Sequence, residues 1–168
     1  MQITQLDKKQ HNRKNFDCGT PALNEYLRQT ARQHDELDLS RSYVLTEEEF
    51  PSDILGYYTL SVCNINWPEL PANLQKKYPK QGISAALIGR LAIHEKKQKN
   101  GLGGLLLIDA IQRVIQSSAD VPLPVIVVDA KNEKAKAFYT KYGFEEIAPS
   151  SNRLYLPTKY AKEMLDEA

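Results

Sequence analysis

A sheet packed by helices, in the α/β or α+β class, is the architecture this sequence predicts. Two nearly continuous apolar runs, residues 84–94 and 124–130, read as strands covered on both faces. Each leads into a helix, the first over 101–117 and the second from Asn132 to about Gly143. The strand–helix–strand–helix–strand order that results is the signature of this class.

From the N-terminus, residues 1–6 predict a short strand. Thr20-Pro21 starts a helix, because a threonine oxygen can accept from an orphan amide and proline fits the first turn. Leu23, Tyr26, Leu27 and Ala31 continue it at helical spacing. Residues 42–46 and 54–65 predict two strands joined by an acidic loop, the second rich in Tyr, Val, Ile and Thr. Pro68, Pro71 and Pro79 make 67–80 an irregular connection with room for one helical turn. Leu102, Leu105, Leu106, Ile108, Ile111, Val114 and Ile115 form the apolar stripe of the 101–117 helix. Gly143 suits a left-handed helix end, and 144–148 and 153–156 predict the last strands before an amphipathic tail.

With 168 residues, 42% hydrophobic and 26% charged, the chain has the composition of a soluble globular protein. At this length folding buries roughly 70% of the unfolded surface, so a single domain over 1–168 is expected. Two cysteines, Cys18 and Cys63, cannot build a disulfide framework and suggest a reducing compartment. No apolar stretch reaches the roughly 20 residues of a membrane helix. The opening MQITQLDKKQ carries charge where a signal peptide needs an apolar core, so the expectation is cytoplasmic, with no membrane partner.

A net charge of +1 hides asymmetry. Lys76, Lys77, Lys80, Arg90, Lys96, Lys97 and Lys99 face Glu95 alone, and Lys8, Lys9, Arg13 and Lys14 cluster around His11. Residues 35–53 are acidic apart from Arg41. Such patches can steer a polyanion, although solvated faces account for most charge runs.

The chemistry concentrates in Leu91-Ala-Ile-His-Glu-Lys-Lys-Gln-Lys-Asn-Gly-Leu-Gly-Gly104, where a buried strand runs into a glycine-rich loop that opens a helix. Glycines let backbone approach a ligand, and amides at a helix start bind phosphate oxygens. Glycines at strand–helix turns are also often only structural. No Gly-Lys-Ser/Thr follows and the GxGxxG spacing is absent, which argues against nucleotide hydrolysis and hydride transfer.

Gln98-Lys-Asn-Gly-Leu-Gly103 resembles the Arg/Gln-x-x-Gly-x-Gly/Ala motif of the GNAT N-acetyltransferases. Asn132-Glu-Lys-Ala-Lys-Ala-Phe138-Tyr139-Thr-Lys-Tyr-Gly143-Phe144 resembles their second signature, in the right order. Phe16-Asp-Cys-Gly19, Leu23-Asn24, Ser40-Arg-Ser-Tyr43, Gly56-Tyr-Tyr-Thr59 and Ile88-Gly-Arg-Leu-Ala92 are similar to the acetyltransferase toxins of bacterial type II toxin–antitoxin pairs. The resemblance covers nearly the whole chain. It implies a central mixed, mostly antiparallel twisted sheet with a splayed pair (84–94 and 124–130) and helices on both faces. It also implies acetyl-CoA as cosubstrate without a metal, an aminoacyl-tRNA α-amine as acceptor, a homodimer, and a small DNA-binding antitoxin.

Under that resemblance the backbone of Leu91, Ala92 and Ile93 pairs with the pantetheine arm, and the Ile93 amide polarises the thioester carbonyl. Gln98, Lys99, Asn100, Gly101, Leu102, Gly103 and Gly104 hold the pyrophosphate, with charge from Lys97 or Lys99. The family often has Pro where Glu95 stands and Gly where Lys99 stands. Asn132 is a helix N-cap by type, and the family adds a bond to pantetheine. Phe138 and Tyr139 are neighbours pointing to different sides of a helix, one toward the sheet and one toward the cofactor. Tyr139 is the candidate general acid for the departing thiolate.

No general base stands out. An α-amine, with a reference pKa near 7.7–8.0, needs one less than lysine does. Transfer to a free small amine or a protein N-terminus, and a silent acyl-CoA-binding module, remain open alternatives.

Overall fold

The computed structural model describes residues 1–168. Seven strands hydrogen-bond in the order β1-β2-β3-β4-β5-β7-β6. They are β1 Gln2–Gln5, β2 Arg41–Thr46, β3 Gly56–Ile65, β4 Ile83–Ile93, β5 Val125–Asp129, β6 Glu145–Glu146 and β7 Arg153–Pro157. The helices are α1 Pro21–Glu25, α2 Ala31–Glu36, α3 Ala72–Gln75, α4 Leu102–Ser118, α5 Glu133–Lys141 and α6 Thr158–Asp166, with a π-helical segment Tyr26–Thr30 joining α1 to α2. Boundaries match the sequence reading to within a few residues, and no helix is long and apolar enough to cross a membrane.

The chain divides into two compact units, residues 1–61 with 89–110 and residues 62–88 with 111–168. In the first, β1 and β2 are antiparallel (Ile3↔Leu45), as are β2 and β3 (Val44↔Tyr57). Its core gathers Phe16, Tyr26, Leu27, Ala31, Val44, Ile54, Tyr57 and Ala92. In the second, β4 and β5 are parallel from Ala85↔Val125 to Ile88↔Val128, in a mostly antiparallel sheet. β4 runs on to Ile93 beyond the last residue in that parallel register. Val125 to Val128 are all buried, which is why the run lacks polar alternation. Ile65, Leu70, Leu74, Ala85, Val125, Val127, Ile147 and Tyr155 make the second core.

One helix-start signal and one charged-cluster member act differently from expectation. Thr20 has the extended backbone of an N-cap (φ −114°, ψ 106°), but its side chain does not cap α1. Instead the Asp17 carboxylate accepts from the Gly19 amide at 2.9 Å and from Asn24 Nδ2 at 2.8 Å, while Asn24 Oδ1 accepts from the Cys18 amide at 2.8 Å. The carboxylate and the carboxamide thus satisfy donors in the turn before α1, while the Leu23 and Asn24 amides bond the Thr20 carbonyl. His11, counted with the basic cluster, is buried at 5% exposure, and burial lowers its pKa, so it adds no charge near neutrality.

Gly56 shows why β3 lies so close to the end of β4. A Cβ there would stand 2.7 Å from Ile93 Cδ1, 2.9 Å from the Ala92 carbonyl oxygen and 3.0 Å from Leu106 Cδ1. The carbonyl cannot yield without moving the strand. Gly56→Ala is expected to destabilise the protein by about 1–3 kcal/mol, measured by urea unfolding.

Candidate active site

In the first unit the site residues follow one another along a strand, a turn and a helix. Leu91, Ala92 and Ile93 end β4, with Ala92 buried and its neighbours half-buried. Glu95–Lys97 form one 3-10 turn, in which His94 Nδ1 accepts from the Lys96 amide at 3.3 Å. Lys97 reaches Glu47 at 3.6 Å. The loop 98–101 then opens α4. Gln98 does more than lend its amide: its side-chain Nε2 donates to the Cys18 carbonyl at 2.9 Å and the Ile93 carbonyl at 3.0 Å. Asn100 Nδ2 donates to the Lys97 carbonyl at 3.3 Å.

Lys99 and Gly101 both take left-handed backbone, with φ +66° and +75°. The two positive angles let the chain reverse from strand to helix within a few residues. Nothing lies within 4 Å of where a Gly101 Cβ would be, so the space before the loop is open. Gly103 is half-buried and Gly104 buried in the first turn of α4, while Leu102 packs inward. An open loop of two left-handed residues heading a 17-residue helix suits a diphosphate. A lysine carries a steric cost at this left-handed position that a glycine would not.

In the second unit Asn132 caps α5, its Oδ1 accepting from the Ala135 amide at 2.8 Å, a bond of about 1 kcal/mol. The capping half of the expectation therefore stands, and Nδ2 is the part a ligand would use. Phe138 is half-buried and Tyr139 only 7% exposed. Their rings do not diverge as neighbours on a helix are expected to. They meet edge to face at 5.2 Å, with Tyr142 5.3 Å from Phe138 and Phe144 5.8 Å from Tyr139. Both rings belong to one aromatic cluster.

Burial, and next the charge of Asp129, push the Tyr139 hydroxyl up to about 12. Asp129 ends β5 and is gripped by Arg153 through Nε at 2.8 Å and Nη2 at 2.9 Å. Asp129 carries no signal in the sequence, because a lone Asp before Ala-Lys forms no pattern. Both cysteines are free thiols, and burial pushes the Cys63 thiol up, away from reactivity. No group of His, Cys, Asp and Glu forms a metal site.

The motifs of the N-terminal half converge in space. Arg28 Nη2 donates to the Phe16 carbonyl at 2.6 Å, and the Glu95 amide donates to the Asp17 carbonyl at 2.8 Å. Tyr57 donates to the Leu23 carbonyl at 2.6 Å. Tyr26 bonds Ser40 Oγ at 2.9 Å, and Arg41 pairs with Asp35 and Asp38.

Replacing Lys99 by glycine relieves the left-handed strain. Lys99→Gly is expected to raise stability by about 1 kcal/mol in urea unfolding. Burial raises Tyr57 as well as Tyr139. The folded state thus holds both phenolic protons more tightly than the unfolded chain, whose tyrosines ionise near pH 10. Their contribution to stability is complete below about pH 10 and is lost as pH climbs through about 12. Melting temperatures should fall across that window, and less steeply for Tyr139→Phe.

Residues 81–158 match the family model described as an acetyltransferase (GNAT) domain. A tRNA-acetylating toxin of Mycobacterium tuberculosis is 30% identical, over 90% of this chain and 89% of its own. The crystal structure of a Tyr→Phe mutant of KacT aligns with a TM-score of 0.91 at 33% identity, covering 97% of this chain and 98% of that one. AtaT complexed with acetyl-methionyl-tRNAfMet aligns at 0.88 and 32% identity, covering 98% of both chains. A further AtaT structure holds the C-terminus of the antitoxin AtaR together with acetyl-CoA. A glycine-bearing loop between β4 and α4, a capped α5 carrying Phe138 and Tyr139, and likeness over the whole length lead to one conclusion: the chain belongs to the GNAT N-acetyltransferases, among the acetyltransferase toxins.

Proposed function

We propose that residues 1–168 act as one acetyltransferase domain that moves the acetyl group of acetyl-CoA to the α-amine of an aminoacyl-tRNA, as a translation-blocking toxin of the cytoplasm. The observation that carries this reading is the end-to-end likeness to AtaT captured with an acetylated aminoacyl-tRNA. A small antitoxin and a second copy of the chain are the partners it brings, the former by analogy with AtaT and AtaR.

Acetyl-CoA supplies an acyl group activated as a thioester. The amides of Gln98 to Gly104 hold its diphosphate at the start of α4, and Lys97 or Lys99 adds charge. The backbone of Leu91, Ala92 and Ile93 pairs with pantetheine as an added strand, helped by Asn132 Nδ2 and the Phe138 ring. The Ile93 amide donates to the carbonyl oxygen as negative charge grows there.

Tyr139 keeps its proton throughout the working pH range, since burial pushes its hydroxyl up to about 12. It donates a hydrogen bond to the departing sulfur, yields the proton as the C–S bond breaks, and regains one from water, as its raised pKa favours. The α-amine is substantially neutral near pH 8 and passes its own proton to water after the C–N bond forms.

Incubation with labelled acetyl-CoA and total charged tRNA should put the label on the aminoacyl group. Label found only on free amines or protein N-termini would overturn the reading. Tyr139→Phe should lower turnover by roughly 10²–10⁴-fold with acetyl-CoA affinity nearly intact. Equal loss of both would make Tyr139 a packing residue.

A further inference from the structure

β3 and the end of β4 present two different faces. Gly56 packs toward Ile93 and Leu106 of α4, and Tyr58 bonds Asp109 of the same helix. Tyr57, one residue on, turns the other way to Leu23 of α1 and shares a core with Tyr26 and Ala92. Alternation puts Arg90 on the Ala92 face. There its guanidinium carbon lies 3.5 Å from the centroid of the Tyr26 ring. Arg90 thus faces away from α4, whose first turn is the place for the diphosphate. Its ligand has to arrive from the side of α1 and α2.

The shelf beneath Arg90 is built. Tyr26 is 6% exposed, and its hydroxyl is held by Ser40 Oγ at 2.9 Å and His34 Nδ1 at 3.1 Å. The π segment begins at this residue, with the Ala31 amide bonding the Tyr26 carbonyl across five residues. Such register breaks within a helix are frequent at functional sites. Arg90 itself is half-buried, and a ring stands where a buried arginine usually finds a carboxylate. That contact uses the face of the ring and leaves the in-plane N–H fork for an oxygen ligand.

We propose that Arg90 is an acceptor-binding residue that takes the phosphodiester linking the terminal adenosine to the rest of the tRNA. The assignment rests on the aminoacyl-tRNA reading above. In that acceptor the amino acid's carboxyl is tied up as an ester, so the anion nearest the reacting amine is this phosphate. A planar fork matches two phosphate oxygens.

The test compares 3′-aminoacyl-adenosine with the same compound carrying a 5′-phosphate. For the wild type the phosphate should raise kcat/KM by about 10-fold or more, and for Arg90→Gln by less than about 2-fold, with acetyl-CoA affinity unchanged in both. Arg90→Lys, which keeps the charge without the fork, should fall between them, and it carries the comparison if Arg90→Gln does not fold. No phosphate preference in the wild type, or an equal preference in the variants, overturns the assignment while acetylation of charged tRNA continues. A wild type that acetylates no charged tRNA overturns the aminoacyl-tRNA reading itself, and Arg90's role with it.

Discussion

One side-chain amide, that of Gln98, ties the glycine-bearing loop before α4 to the rest of its unit. Its two N–H groups reach the carbonyls of Cys18 and Ile93, at 2.9 and 3.0 Å. The loop thereby leaves β4 at a set angle, and the left-handed pair Lys99 and Gly101 can complete the reversal into α4. The Cys18 carbonyl is a firm anchor because Asp17 and Asn24 lock the backbone on either side of it. A loop pinned in this way presents its amides without having to be ordered by the ligand, which lowers the entropic cost of binding.

The same scaffold separates two jobs by face. Strand alternation sends Tyr58 and Ile93 toward α4 and sends Tyr57 and Ala92 toward α1. In the proposed reaction the α4 face serves the diphosphate, while the α1 face carries Tyr26, Arg90 and the π-helical register break that begins at Tyr26. Gly56 makes this compact, since any side chain would push β3 off the end of β4.

In the second unit, a buried phenol is matched to a charged neighbour. Asp129 is held by Arg153 and, together with burial, keeps the Tyr139 proton in place. In the role proposed for Tyr139, a group that stays protonated until a leaving group needs it benefits from both effects. The thiol Cys63 and the buried His11 are also pushed toward their neutral forms, but by burial in positions that serve packing.

Local patterning determined a great deal on its own. The apolar runs at 84–94 and 124–130, the stripe of α4 and the Asn132 cap were legible because each depends on residues within a few positions of one another. The glycine loop and the Phe138-Tyr139 pair stood out for the same reason. Tertiary structure decided what short-range pattern cannot encode: that Gln98 spans to Cys18 across 80 residues, and that Arg90 rests on Tyr26. Those contacts form only when segments distant along the chain are packed together, because hydrogen bonds and ring contacts act over a few ångströms whatever the separation in sequence.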